Sequence, residues 1–522
     1  MTLLAILHGL LWFFHGVASF FLFFYGINCY LMLYLHRRMR ARMQWQDGAV
    51  WCAWQACESQ LPRVTVQLPI YNERYVVQRL LEAVTCLGYP KALLEIQVLD
   101  DSTDGTTAIV SRLVKRYRQE GFDITLFHRR HRHGYKAGAL QEGLAAAKGV
   151  FIAIFDADFV PEPDFLMRTL PFFQDPTIAL VQVRWGHING DYSVLARAQT
   201  FGLNGHFWVE QAARGWSGLF LNFNGSGGVW RRQAIDEAGG WQADTLTEDL
   251  DLSYRAQLQG WRLKFLPQVV CPAEVPVQMS AVKNQQHRWA KGSIQTARKL
   301  IPRILKANIP LFTKYQALCH LTNYLVYPLM LFVALTTSFP LGFEAGAATP
   351  KMPLLVAISL SLATFGPLSM YVYAHRHLYP DWRQRLWAFP FLLIFGTGLA
   401  LNNTKAILEA LFNRRSVFVR TPKYRIEHAS DTWVGKRYRV PFPWLSLGEA
   451  FLALYCAYGV FRFMQQQGTY LVNPFSLLFT LSFASVAGLS FWESWRRRTP
   501  RQPQGSGIGR RTPIDKHFKA LF

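Results

Sequence analysis

A chain of 522 residues with 51% apolar and 15% aromatic side chains can bury more than one core, which excludes a disordered or disulfide-stapled mini-protein. A net charge of +23 would suit a nucleic-acid binder, yet the clusters Arg37–Arg42, Arg414–Arg415 and Arg496–Arg498 each flank a long apolar segment, as cytoplasmic loops of membrane proteins do. No nucleic-acid partner is expected, and an anionic substrate would account for part of the remaining charge. The seven cysteines show no metal-ligand spacing, and a reduced cytosolic face is expected.

The first apolar segment, Leu3–Leu35, exceeds a signal-peptide core, lacks a small-residue cleavage site after it and reads as a retained membrane span. Beyond its basic flank, strand and helix patterns alternate. Arg63–Leu68 reads as a buried strand closed by Pro69-Ile70-Tyr71-Asn72-Glu73, and Glu95–Leu99 as a second, ending in Asp100-Asp101. A helix with Ile109, Leu113 and Tyr117 on one face follows, then a strand over Ile124–His128 and a helix over Lys136–Lys148. The strand from Phe151 stops at Asp156 and Asp158. Alternate residues of an extended chain point the same way, so these carboxylates share one side and offer Mg²⁺ or Mn²⁺ two hard oxygen ligands beside a diphosphate. Every polar cluster falls at the carboxyl end of a strand, where a parallel, doubly wound α/β sheet binds its ligands.

Ala179–Trp185 reads as another strand, and Val194–Trp216, mixed apolar and basic, as a helix lying on the membrane surface. Phe223–Trp230, with Asn224 and Ser226, is a glycine-rich turn that lets backbone approach a ligand. Thr247-Glu248-Asp249 opens a helix with Leu250, Tyr254 and Leu258 on one face, and Gln285, Arg288 and Trp289 stand at i, i+3, i+4 on another. Tyr315–Phe339, Leu354–Ala374, Trp444–Met464 and Phe475–Phe491 are each about long enough to cross a bilayer. Leu386–Phe412 is long enough too, but treating it as re-entrant or interfacial keeps every basic cluster inside, with five crossings and the amino terminus outside. The Pro/Arg/Gly-rich tail after Trp495 reads as disordered.

In this order, the motifs ending at Asp101, Asp158, Asp249 and Trp289 resemble the inverting family 2 glycosyltransferases of the cellulose synthase and hyaluronan synthase type. The strings Gln97–Thr103, Tyr135–Leu140, Val181–Asn189 and Gln285–Trp289 resemble the cellulose-synthase-like A and C group of plants and its bacterial relatives. The resemblance is strong over residues 60–300 and implies a Rossmann-like, doubly wound GT-A domain of α/β class on the cytosolic side, inserted between transmembrane helices. The layout it implies is a first helix at 1–36, the catalytic domain with interfacial helices at 37–312, and two spans at 313–375. An interfacial helix and gating-like loop at 376–442, two further spans at 443–495 and a basic tail at 496–522 complete it. The donor would be a nucleotide sugar, UDP-glucose favoured over GDP-mannose, and the acceptor a growing β-linked glucan or mannan. The bilayer would be a bacterial inner membrane by preference, or a Golgi membrane in a eukaryote.

On this reading Tyr71, Glu73 and Asp101 meet the base and ribose, while Lys136, Asp156 and Arg288 meet the diphosphate and Asp158 joins Asp156 on the metal. Asp249, with Glu248 beside it, is the general base for the acceptor hydroxyl. Metal and cations stabilise the leaving diphosphate, so one base suffices for inversion. Trp289 offers a platform to an acceptor sugar ring, with Gln285, Asn224 and Ser226 around it. Val417–Lys423 resembles a cellulose-synthase gating loop through Phe418, Thr421 and Lys423, with Arg420 where a valine is typical. Each motif alone has a plainer reading: strand-end turn chemistry, acids complementing a helix dipole, or an interfacial Trp/Arg anchor. Two other functions stay open, namely single transfer onto a glycolipid, as in ceramide glucosyltransferases, and an inactive membrane scaffold or export subunit.

Overall fold

The first span does not end where its apolar stretch does. In the computed structural model, which describes residues 3–56, 61–338, 351–414, 420–436, 438, 444–467 and 473–496, helix α1 runs unbroken from Leu3 to Ala56. Its last turns dock on the α/β domain, where Asp47 pairs with Lys264 at 2.6 Å and Trp51 donates to the Arg168 carbonyl at 2.9 Å. The boundary expected at residue 36 is a change of environment and not a break in the helix.

Next come β1 (Val64–Ile70), α2 (Val77–Thr85), β2 (Leu94–Asp100), α3 (Thr106–Gln119), β3 (Asp123–His128), α4 (Tyr135–Ala146), β4 (Phe151–Ile154) and β5 (Ile178–His187). A continuous helical run follows: α5 (Val194–Gly205), a π-helical turn (His206–Gln211) and α6 (Ala212–Trp216). β6 (Gly228–Arg231), α7 (Glu248–Leu258) and β7 (Arg262–Ala273) complete the domain. The strands form one sheet in the order β3-β2-β1-β4-β6-β5-β7.

Alternation along β1 explains how both faces are filled. Val64, Val66 and Leu68 enter a core with Leu80 of α2 and Val114 of α3. Thr65 and Gln67 point the other way, fully buried, where Thr65 donates to Glu95 (2.6 Å) and Gln67 Nε2 to Gln97 Oε1 (3.0 Å) on β2. Pro69 is tolerated in this inner strand because the β1–β4 ladder ends at the Gln67–Ile154 pair, beyond which the missing N–H costs no ladder bond.

The sheet is not wholly parallel, as the alternation had suggested. β6 runs antiparallel to both β4 and β5. Its glycines hid a strand inside what reads from sequence as a turn. β7 was hidden too, because Pro267 and Pro272 mask a strand whose burial alternates from Pro267 to Ala273.

After the domain come α8 (Met279–Lys306), α9 (Leu311–Thr322), α10 (Val326–Thr337), α11 (Lys351–Leu378), α12 (Phe389–Gly398), α13 (Ala400–Leu411), α14 (Leu445–Gln467) and α15 (Pro474–Arg496). Among the described residues, five helical stretches are long and apolar enough to cross a membrane: in α1, in α9–α10, over Trp382–Leu411, in α14 and in α15. α11 lies along α1, with Gly26 and Gly366 bringing the two backbones together. α8 is fastened to the α14–α15 hairpin by Lys283, which pairs with Glu449 and donates to Ser490 at 3.0 Å. Phe418 and the tail beyond Arg496 lie outside the described residues.

Candidate active site

The carboxyl ends of β1 and β2 are stapled together before any ligand is considered. Asn72 adopts a left-handed conformation (φ 56°), which its short amide tolerates, and accepts the Thr103 N–H at 2.8 Å. Both oxygens of Asp101 are taken by Arg129, at 2.7 and 2.6 Å. Asp101 therefore does not stand as a bare acceptor for a base N–H. Next to it the Arg132 guanidinium lies 3.4 Å from the Tyr71 ring centroid, a flat basic and aromatic pair at the pocket wall.

Lys136, in the first turn of α4, reaches Asp156 (2.6 Å) and the Gly225 carbonyl (2.7 Å), with Glu248 at 3.9 Å. Burial opposes its charge, but Asp156 and Glu248 outweigh burial and raise its pKa. Gly225 adopts φ +83° and packs so close that a Cβ would stand 2.9 Å from Asp249 Oδ2. Only glycine lets this backbone reach both Lys136 and Asp249.

Asp156 and Asp158 do share one pocket, although the strand has ended and a turn aims them. Lys423 holds Asp158 at 2.6 Å, just as Lys136 holds Asp156. No cluster of three or more His, Cys, Asp or Glu suited to a metal occurs among the described residues. Two carboxylates in one pocket still fit a hard divalent cation that takes its remaining oxygens from a diphosphate and water.

Asp249 lies in the first turn of α7. Burial, and then the neighbouring charge of Glu248, push its pKa up to about 7, while Lys136 works the other way. Glu248 is likewise raised by burial against the pull of Lys136. A carboxylate poised near neutrality suits proton transfer.

From α8, Arg288 donates to Thr421 at 3.1 Å, which brings the segment after Arg420 over the pocket. Arg420 pairs with Glu73 at 3.1 Å and donates to the carbonyls of Tyr71 and Asn72. Burial raises Glu73 to about 8 despite that arginine. The valine-to-arginine departure thus has a consequence, for the segment is clamped to the exit of β1.

Two cavities meet here. One, of about 220 Å³, is lined by Tyr71, Asp101, Lys136, Asp156, Asp158 and Arg288 among others. The other, of about 570 Å³, runs from Asp249 and Trp289 to Leu22 of α1 and Phe479 of α15. Asn224, Thr247, Asp249 and Trp289 line both. Gln285 lines only the smaller cavity, and its neighbour Gln286 lines the larger. Ser226 reaches neither. It is fully buried, and its hydroxyl accepts the Asp156 N–H at 2.9 Å, so it supports the acid from behind. Sequence reasoning missed Arg129, Arg132, His206 and Glu210. The last two stand in a helix read only as amphipathic, where a His and a Glu four residues apart amid apolar neighbours were the available signal.

Residues 62–292 match the family model described as "Glycosyltransferase like family 2". Glucomannan 4-beta-mannosyltransferase 2 of Arabidopsis thaliana is 34% identical over 457 residues, covering 83% of this chain and 81% of that protein. Glucomannan 4-beta-mannosyltransferase 7 of the same plant is 34% identical over 69% of this chain, which spans 65% of that relative's length. A solved structure, the mannosyltransferase PcManGT from Pyrobaculum calidifontis in complex with GDP-Man and Mn²⁺, is 20% identical with a TM-score of 0.46, covering 75% of this chain and 100% of that one. The chain belongs to the family 2 glycosyltransferases, in the cellulose-synthase-like group of the glucomannan 4-beta-mannosyltransferases.

Proposed function

We propose that the chain is a membrane-embedded inverting hexosyltransferase that extends a β-1,4-linked mannan or glucomannan from GDP-mannose. The observation that carries this reading is the meeting of the two cavities at Asp249 and Trp289, which puts a base between a diphosphate-sized pocket and a long acceptor-sized one. The acceptor oxygen bonds to the anomeric carbon as its proton passes to the Asp249 carboxylate, and the bond from that carbon to the diphosphate breaks. Attack opposite the leaving group turns an α-linked donor into a β-linked product. Lys136 and Arg288 meet the charge that develops on the diphosphate, and the pocket walls exclude water that would otherwise take the sugar. Asp156 and Asp158 would hold the divalent cation, which supplies Lewis-acid stabilisation of the leaving group when bound.

The donor reading moves from UDP-glucose to GDP-mannose because the relatives are named mannosyltransferases. Purified protein in lipid, given each nucleotide sugar with Mn²⁺ or Mg²⁺, should make a β-mannanase-sensitive polymer from GDP-mannose and stop on chelation. Polymer made from UDP-glucose alone would overturn the donor, and undiminished synthesis in chelator would remove the metal.

The larger cavity continues among the spans, which supports release of the polymer through the membrane. Contacts at both ends of Trp382–Leu411 support the re-entrant reading of that stretch. At its start Arg385 pairs with Asp191 of the catalytic domain at 3.3 Å, and near its end Glu409 pairs with Lys291 of α8 at 3.0 Å. A full crossing would separate those ends by about 30 Å of hydrocarbon. The basic clusters flanking the apolar segments support a cytosolic catalytic domain. A cysteine at Asn413 should resist an impermeant reagent applied to intact cells, and its labelling from outside would restore a six-span topology.

A further inference from the structure

The larger cavity has a wall that the transfer chemistry above does not use. We infer that the π-helical turn His206–Gln211 is the element that reads the hydroxyls of the terminal acceptor sugar, with His206 as the contacting side chain. This rests on the reading that an acceptor hexose lies over Trp289.

The turn interrupts an otherwise regular helical run and brings the side chains at 206, 210 and 211 to one place. His206, Glu210, Asn222 and Asn224 line the same cavity as Asp249 and Trp289, while Gln211 stands fully buried behind them. His206 Nδ1 lies 3.0 Å from Glu210 Oε2, and Glu210 Oε1 accepts from Arg214 at 3.1 Å. Burial opposes a charge on Glu210, but His206 and Arg214 hold its carboxyl well below the usual carboxylate range. An ionised Glu210 fixes Nδ1 as the donor and leaves Nε2 as the atom to be read.

Nε2 is weakly engaged. It stands 3.3 Å from the Gln211 amide nitrogen and 3.4 Å from Asn224 Oδ1, both at the long limit of hydrogen bonding. Gln211 Nε2 has better partners in Asn222 Oδ1 (2.9 Å) and Asn224 Oδ1 (3.2 Å). Asn224, at the junction of the two cavities, has an Nδ2 that is buried without an acceptor among the described residues. A flat indole for the ring face, with an imidazole acceptor and an amide donor lining the same cavity, is the chemistry that recognises a hexose. Epimers are separated there by hydroxyls whose partners would otherwise be left unpaired. Glu210, Gln211 and Arg214 act through His206 and Asn224 as positioning residues.

The test compares two substitutions that keep different halves of the imidazole. His206→Asn retains a polar atom near Nδ1, hence the Glu210 bond, and His206→Gln retains one near Nε2. Binding of a manno-hexasaccharide to the detergent-solubilised full chain is measured by calorimetry, with GDP binding in parallel as the control for folding and for the donor site. The wild type should bind the oligosaccharide, His206→Asn should weaken it about tenfold, and His206→Gln should stay within about threefold, with GDP affinity unchanged in both. Where transfer is measurable, the loss in His206→Asn should fall on the acceptor KM and not on kcat. A wild type that binds no manno- or cello-oligosaccharide overturns the inference, as does His206→Gln losing the sugar while His206→Asn keeps it. That order would mean that only the bond to Glu210 matters. The donor and transfer readings fail separately, on the GDP and turnover arms.

Discussion

Asp249→Asn is expected to bind nucleotide sugar with near wild-type affinity and to lose transfer by about 10²–10⁴-fold, the contribution of a general base. The amide keeps the side chain's size and its acceptor for the Leu250 N–H at 2.8 Å, so α7 should stand unchanged and only proton removal should fail. The pH profile is the second half of the result. Burial and Glu248 raise the Asp249 pKa to about 7, and a base works only when deprotonated. For the wild type, kcat/KM should therefore fall about tenfold per pH unit below about 7 and level off above it, reporting the free enzyme. In the variant that acid limb should vanish. Near-normal turnover, or a wild-type acid limb surviving in Asp249→Asn, would assign the base elsewhere.

Lys136→Met should be nearly as damaging, for a different reason. The ammonium is the shared partner of Asp156 and the Gly225 carbonyl, with Glu248 close by. Its removal leaves carboxylates facing one another in a partly buried pocket. Losing a charge-assisted hydrogen bond to the diphosphate costs about 1.5–3 kcal/mol, or roughly 10–10²-fold in donor affinity or turnover. The sign of a further effect follows from the charges. Lys136 favours ionised Asp249, so its loss should raise that pKa and move the acid limb of kcat/KM to higher pH. A variant with wild-type donor affinity and an unmoved acid limb would take Lys136 out of the site.

Local pattern made part of this molecule legible from its residues. The alternation of buried strands and helices gave β1 to β5 within a few residues of where they lie, because inner strands buried on both faces read as short, largely apolar runs bounded by turn residues. It also put the acids at the strand ends, since a chain leaving a buried strand is where charge can stand. The apolar stretches of α1, α9–α10, α14 and α15 were plain because spanning a bilayer needs about 20 apolar residues in a row.

What tertiary structure alone decided concerns partners far apart in the chain. No pattern around Asp101 announces that Arg129 will occupy both its oxygens, and none around Asp158 announces an ammonium from Lys423, 265 residues away. The reversal of β6 came from which neighbours accepted a short glycine-rich segment, not from its composition. In the same way His206 and Glu210 looked like polar residues on a surface helix until folding made that helix, with α1, a wall of the cavity. The amino-acid sequence by itself determined β1 to β5, the long apolar helices and the acids at the strand ends, because periodicity and chain exit are local. The convergence of two cavities on Asp249 was decided only in three dimensions, because it depends on contacts between segments that the chain order keeps apart.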